Sequence, residues 1–246
     1  MAAISIDDLT VAYQRHPAVH HLSGSFAHGS LTAVVGPNGA GKSSLLAALV
    51  GLVRPATGRI RHADGLRAAL AYLPQSADID RSFPIRVEDV VALGHWARSG
   101  GYRGLDAAQR RMTGDALAAV GLAGFERRPI AALSAGQFQR LLFARLLLQD
   151  ARLILLDEPF NAIDARTTAD LLAVIRRWHG ESRTVIAVLH DLQQVHAHFP
   201  EALLLAREAV AWGPTAEVLT AANLARARQM AEAWDDTAAW CARPAR

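Results

Sequence analysis

The run GPNGAGKS, Gly36 to Ser43, constrains this 246-residue chain more than any other feature. It sets glycine, four residues, glycine, lysine and serine in succession, the spacing of a phosphate-cradling loop. Glycines let the backbone curl until consecutive N–H groups face one point, and a helix starting directly behind adds its positive N-terminal end. In such a loop Lys42 reaches the β and γ phosphates of a nucleotide, and Ser43 ligates magnesium. Gly36, Pro37, Asn38, Gly39, Ala40, Gly41, Lys42, Ser43 and Ser44 are therefore candidate nucleotide-binding residues. The loop needs a strand before it and a helix after it. LTAVVG, ending at Gly36, supplies the first; SSLLAALVGL, apolar at helical spacing and stopped by Gly51 and Arg54-Pro55, supplies the second. The glycine spacing differs from the dinucleotide pattern GxGxxG. Lys42 is also the only lysine, the other 25 basic residues being arginine. A general arginine preference has spared one position, where a compact ammonium suits phosphate.

Around this loop the periodicities alternate between strand and helix. Ile4, Ile6, Leu9, Val11 and Tyr13 alternate as in a strand, and further strands are expected at Ala69 to Leu73, Leu153 to Asp157, Thr184 to Leu189 and Ala202 to Leu205. Helical patterns lie between the later ones, so the fold class is α/β with a parallel sheet. Between Pro84 and Gln149 the reading becomes helical: VEDVVALGHW, AAQRRMTGDALAAVGL, then a helix from Ala135 to Gln149. The expected division is a core of 1–83 and 150–220, an inserted helical subdomain of 84–149, and a C-terminal helix or tail of 221–246, loose beyond about Asp235.

LILLDEP, Leu153 to Pro159, is an apolar strand ending in two carboxylates. Asp157 is placed to hold magnesium, directly or through water. Glu158 can polarise an attacking water as a general base. Taken alone, the segment reads equally well as an acidic strand-to-loop boundary. LSAGQFQR, Leu133 to Arg140, lies between the two motifs. Ser134 can bond a phosphate oxygen while Gly136 exposes backbone N–H at a helix start, although alone the segment is an ordinary helix cap.

Together these segments resemble the ATP-binding subunits of ABC transporters, whose signature LSGGQ stands between the phosphate loop and the acidic strand. The resemblance runs from about Ile4 to Thr220. Ser134, Gly136 and Gln137 match the signature, and Ala135 stands where glycine is usual. The resemblance implies that this helix end meets ATP held by a second copy of the chain. It assigns Gln75 to the glutamine loop, which senses magnesium and the attacking water, so that Ser43, Gln75 and Asp157 serve magnesium. It assigns Asp164 to the loop at the dimer interface, with Asn161 and Ile163 departing from the commoner SALD. His190 corresponds to the switch histidine beside the γ-phosphate, where a lone histidine at a strand end is otherwise structural. Tyr13 corresponds to the aromatic residue stacked on adenine, with a core tyrosine as the alternative. The implied fold is an ABC-type P-loop ATPase with a parallel-sheet core, an N-terminal antiparallel β subdomain and the helical insertion. Its catalytic residues are Glu158, His190 and Gln75, and its cofactors are ATP and Mg2+.

Composition limits the other classes. The chain is 51% hydrophobic and 20% charged with net charge +3, and its basic residues are scattered singly or in pairs, which gives no support to nucleic-acid binding. No apolar run approaches the roughly 18 residues of a spanning helix. The acidic N-terminus does not read as a secretory signal. Cys241, the single cysteine, permits no intrachain disulfide. The expected location is the cytoplasmic face of the inner membrane, peripheral, as a homodimer on permease subunits served by a periplasmic or lipoprotein metal-binding protein. Asp78 to Gly94, with its Phe-Pro pair and Val-x-Asp-Val-Val, and DEPFNAID resemble the importers for zinc, manganese or iron. Zinc is the expected cargo, with manganese, iron, siderophore, haem or cobalamin import as alternatives. His16 and His20 have helical zinc-site spacing, but Pro17 and a strand-and-loop pattern oppose that reading.

Overall fold

The computed structural model describes residues 1–14, 16–75, 80–96, 104–161 and 163–232. The tail beyond Asp235, Cys241, Ala162 and the first two residues of the Asp78–Gly94 segment lie outside the described residues. In chain order the strands are β1 (Ala2–Tyr13), β2 (His16–Ala27), β3 (Leu31–Val35), β4 (Thr57–His62), β5 (Leu70–Leu73), β6 (Leu153–Asp157), β7 (Thr184–Val188), β8 (Glu201–Ala206) and β9 (Glu208–Pro214). The described α-helices are α1 (Lys42–Val50), α2 (Val87–Ala92), α3 (Ala107–Ala119), α4 (Ala135–Gln149), α5 (Ala165–Gly180), α6 (Leu192–His198), α7 (Thr215–Val218) and α8 (Ala221–Glu232). The chain divides into two compact units, one of residues 1–68 with those from 184 onward, the other of residues 69–183.

The first unit opens with an antiparallel sheet in the order β2-β1-β4. The large apolar side chains buried on β1 are Ile4 and Ile6, then Leu9 and Val11. The change from even to odd numbers is a β-bulge: the pairing register shifts between Ile6 and Leu9, and Asp8 takes a φ of 49° there. One extra residue reverses which face each later side chain meets, so both halves of the strand bury their apolar residues. Pro17 is tolerated because β2 is the edge strand and loses no ladder bond on its outer side.

In the same unit β7, β3 and β8 pair in parallel, and β9 returns antiparallel on β8. All five residues of β3 and all five of β7 are buried, the continuous pattern of strands covered on both faces. Val34 pairs with Val188 in register, and Gly36 and His190 each follow two residues later. The carboxyl ends of these strands thus deliver the phosphate loop and the histidine to one edge, where open α/β sheets bind ligands.

The second unit pairs β5 with β6 in parallel and contains helices α2 to α5. Helix α4 packs against α2, α3, α5 and β5. A capping box starts α3: the Asp106 side chain accepts from the Gln109 N–H, and the Gln109 side chain accepts from the Asp106 N–H. The α/β class expected from the strand and helix periodicities is what the chain adopts. No described helix is long and apolar enough to cross a membrane.

Phe143 on α4 and Trp178 on α5 stack with centroids 5.7 Å apart and planes 6° from parallel, both fully buried. Trp178→Ala should cost about 3–5 kcal/mol of stability, measured as a lowered urea midpoint. A change below about 1 kcal/mol would show that the pocket collapses around the deletion.

Candidate functional site

The phosphate loop is held by backbone against backbone. At Gly36, φ 151°, an added Cβ would overlap the carbonyl oxygen of Leu205, and at Gly41, φ 88°, it would overlap that of Ala18. No side chain other than hydrogen fits either place. Gly41 is the N-cap of α1 and offers no side-chain acceptor. A helix start without a side-chain cap is a place that favours an anion. Lys42 opens the helix, is buried to 6% exposure, and its Nζ donates to the carbonyl oxygens of Gly36 and Pro37, each at 2.9 Å. Asn38 and Gly39 are exposed at the crest, Ala40 is buried beneath them, and Ser43 and Ser44 are half-buried in the first turn.

Tyr13, at the end of β1 and 47% exposed, shares a cleft of about 370 Å³ with His16, Pro17, Ala18, Gly39 and Arg207. The aromatic candidate and the phosphate loop thus face one opening, and the core-tyrosine alternative is excluded. His190 is exposed beyond β7 and lines a cavity of about 160 Å³ with Gly36, Pro37 and, from α8, Leu224, Ala227 and Arg228.

In the second unit, parallel register does equivalent positioning. Leu73 pairs with Leu156, and two residues beyond each lie Gln75 and Glu158. The Gln75 Nε2 donates to Glu158 Oε2 at 2.6 Å. Asp157 is 2% exposed at the end of β6, whose five residues are all buried. Glu158 then takes a φ of 49°. A non-glycine residue in that region costs on the order of 1–3 kcal/mol, and the turn swings its carboxylate out of the strand direction. Asn161, one of the departures from SALD, donates from Nδ2 to the same Oε2 at 3.4 Å and from its backbone N–H to the Glu158 carbonyl at 3.2 Å. Gln139 on α4 donates to the Pro159 carbonyl at 2.8 Å and anchors the same turn.

Ser134 is the N-cap of α4 in a capping box. Its Oγ accepts from Gln137 N–H at 3.2 Å, and Gln137 Oε1 accepts from Ser134 N–H at 3.0 Å. Ala135 is exposed in the first turn and Gly136 half-buried. A Cβ on Gly136 would lie 3.3 Å from Thr167 Oγ1 and 3.5 Å from Asp164 Oδ2, so the N-terminal ends of α4 and α5 are neighbours. Arg81 donates to the Leu133 carbonyl and stands over the Phe138 ring at 4.8 Å, bracing the signature from outside it. Arg140 joins α4 to α5 through Asp170 at 2.6 Å and donates to the Val120 carbonyl at 3.0 Å.

Sequence reasoning passed over Asn161, Gln139 and Arg81 as site-forming residues. Their contacts are tertiary, and only the departure from SALD at Asn161 marked any of them. Of the two histidines with zinc-site spacing, His20 bonds Glu208 at 2.9 Å, and the neighbouring His21 bonds Asp8 at 2.7 Å. Among the described residues no group of three or more His, Cys, Asp or Glu side chains is placed to hold a metal ion.

Residues 19–161 match the family model described as ABC transporter. The manganese transport system ATP-binding protein MntB of Halalkalibacterium halodurans is 36% identical over 230 residues, 92% of each chain. The chain belongs to the ABC transporter family. The activity of this ABC ATPase is hydrolysis of ATP coupled to transport. The zinc transport system ATP-binding protein TroB of Treponema pallidum is 36% identical over 229 residues, 92% of this chain and 86% of that one. Among solved structures, one described as a metal-chelate type ABC transporter facing inward superposes with TM-score 0.82 and 29% identity over 93% of this chain and 90% of that one. These likenesses bear out the resemblance to the metal-importer branch. Tyr13, Asp164 and His190 lie outside the span of the family model, which contains the other site candidates.

In this cassette Asp164 is the N-cap of α5, accepting from the Thr167 N–H at 2.9 Å and the Thr167 hydroxyl at 2.8 Å. Those two bonds hold its carboxyl below the ordinary carboxylate range. A depressed folded pKa contributes stability that is fully present above the unfolded pKa and is lost as pH falls through the folded value. Asp164→Asn should therefore flatten the acid limb of the stability curve and leave its shape above the carboxylate range unchanged, measured by urea unfolding across pH. An unaltered acid limb would remove Asp164 from that dependence.

Proposed function

We propose that this ABC ATPase powers import of a transition-metal ion, zinc, through permease subunits at the cytoplasmic face of the membrane. The observation that carries the ATPase chemistry is the Gln75–Glu158–Asn161 cluster at the end of the strand that bears Asp157. Two amide donors on one oxygen of Glu158 orient the carboxylate so that its other oxygen takes the proton of a water. A carboxylate acting so on the water that attacks the γ-phosphate is a general base. Lys42 and the first-turn N–H groups of α1 bind the β and γ phosphates, Tyr13 stacks on adenine, and His190 steadies the γ-phosphate. Ser43, Gln75 and Asp157 would hold magnesium through a hydroxyl, an amide and a carboxylate oxygen, donors that suit this ion with waters completing its shell. The ion would neutralise charge on the phosphates.

Two copies close head to tail, each presenting Ser134 to Gly136 to the nucleotide of the other, with Asp164 at the interface. Closure on ATP and release after hydrolysis form the two-state element that moves the permease. The helices between Pro84 and Gln149, with the segment ending at Gly94, form the lobe that meets the permease, and a periplasmic or lipoprotein metal-binding protein delivers the cargo.

Glu158→Gln keeps the shape and one acceptor oxygen but cannot take the proton. It should bind ATP as the parent does, lose turnover by about 10²- to 10⁴-fold, and accumulate as an ATP-dependent dimer in size-exclusion chromatography. Normal turnover would remove Glu158 from the role of base. Lys42→Ala serves as the contrast, since it should lose nucleotide binding itself.

Manganese is the second reading, because the Halalkalibacterium relative is named for manganese and the Treponema relative for zinc at equal identity. Uptake of radiolabelled zinc and manganese in cells lacking this chain separates the two. Loss of zinc uptake alone supports the proposal, loss of manganese uptake alone replaces zinc with manganese, and loss of neither sinks metal import.

A further inference from the structure

Arg207 sits in the tight turn between β8 and β9, outside every motif of the nucleotide site. It has a φ of 62°. Its backbone N–H donates to the carbonyl of Ala40 in the phosphate loop at 3.0 Å, and its own carbonyl accepts from the His20 N–H at 2.7 Å. Its guanidinium Nη1 donates to the carbonyl of Pro17 at 3.0 Å. One residue therefore ties three chain segments: the β8–β9 turn, the phosphate loop at Ala40, and the start of β2. The left-handed backbone is unfavourable for arginine, so these bonds hold it against a local cost.

The three segments are the walls of one cleft, the one that Tyr13 shares with Gly39. Tyr13 is paired with His16 at the end of the β1–β2 ladder, and Pro17 is paired with Ala12. Fixing the Pro17 carbonyl therefore fixes the start of β2, the edge strand paired with the end of β1 that carries the aromatic ring. Without that bond nothing in the proline itself resists drift, since it has no N–H and β2 is an edge.

We propose that Arg207 is a positioning residue for the base of the nucleotide. Its guanidinium sets the distance between Tyr13 and the phosphate loop, so that an aromatic base and its phosphates are held at the same time. The inference rests on the reading of Tyr13 as the adenine platform. Arg207 does no chemistry and contributes to affinity only where the ligand carries a base.

The test compares binding of Mg-ATP and Mg-tripolyphosphate to the full chain by calorimetry. Arg207→Gly is the informative variant, because glycine accepts the left-handed φ and keeps both backbone bonds while deleting the guanidinium. It should weaken ATP binding about 3- to 10-fold, the equivalent of one hydrogen bond, and leave tripolyphosphate binding unchanged. Arg207→Lys, which can still donate to the Pro17 carbonyl, should recover part of the loss. Equal weakening of both ligands would make Arg207 merely structural and overturn the proposal, as would no weakening of ATP. Tyr13→Ala separates the two levels of the reading. If it abolishes the preference for ATP over tripolyphosphate while Arg207→Gly leaves that preference intact, the inference about Arg207 alone fails. If Tyr13→Ala leaves the preference intact, the adenine platform itself is wrong and the inference falls with it.

Discussion

Backbone meets backbone at two places in the phosphate loop with no room for a Cβ, Gly36 on the Leu205 carbonyl and Gly41 on the Ala18 carbonyl. Every other property of the loop depends on these contacts. They hold it from one side through β8 and from the other through β2, so its curl is set by two sheets before any ligand arrives. Preorganisation of this kind spares the ordering cost that binding would otherwise meet. It also explains why Lys42 can be buried. Two loop carbonyls at 2.9 Å face its ammonium, and a buried cation is tolerated only when hydrogen-bonded.

The acidic half uses a different device. Gln75 and Glu158 are 83 residues apart, yet parallel register puts them at matching distances past Leu73 and Leu156. Neither side chain is buried, so the amide bonds that orient the Glu158 carboxylate need a fixed backbone beneath them. That backbone is held by its left-handed φ, the Asn161 N–H on its carbonyl, and Gln139 on the carbonyl of Pro159. Strain held in place by hydrogen bonds at a chemically active side chain is the usual signature of a site whose geometry outweighs local comfort.

Buried elements were the legible ones. The sequence pattern places β6 at its observed bounds, Leu153 to Asp157, and α4 at its own, Ala135 to Gln149, because a run of core residues leaves no choice of face. Strand β4 went unread for the opposite reason: TGRIRH has no buried residue and pairs with β1. Half-exposed β9 went unread for the same cause. The alternation on β1 was visible, but its phase change at Asp8 is a bulge that no two-residue period describes. Among site candidates, contiguous motifs were legible and isolated partners were not. Asn161 stood out only as a departure from pattern, and Arg207 had no local signal, since its bonds go to Pro17, His20 and Ala40.

The two caps show how one residue type answers two demands and another cannot. Ser134 accepts the Gln137 N–H through its Oγ, and a hydroxyl also carries a proton of its own to donate. Capping α4 and donating to a phosphate oxygen are therefore compatible, and the signature helix need not come undone to bind. Asp164 differs, because an ionised carboxylate only accepts, and it already accepts twice from Thr167. Brought against a phosphate it would repel. Its place beside Gly136 accordingly suits it to orienting the start of α4 and to meeting N–H or hydroxyl donors across an interface. Ala135 fits the same picture: its methyl group is exposed on the first turn, and the backbone N–H groups of Ala135 and Gly136 are the same whichever small residue stands at 135. The departure from glycine therefore changes the steric margin of the signature and not its donors.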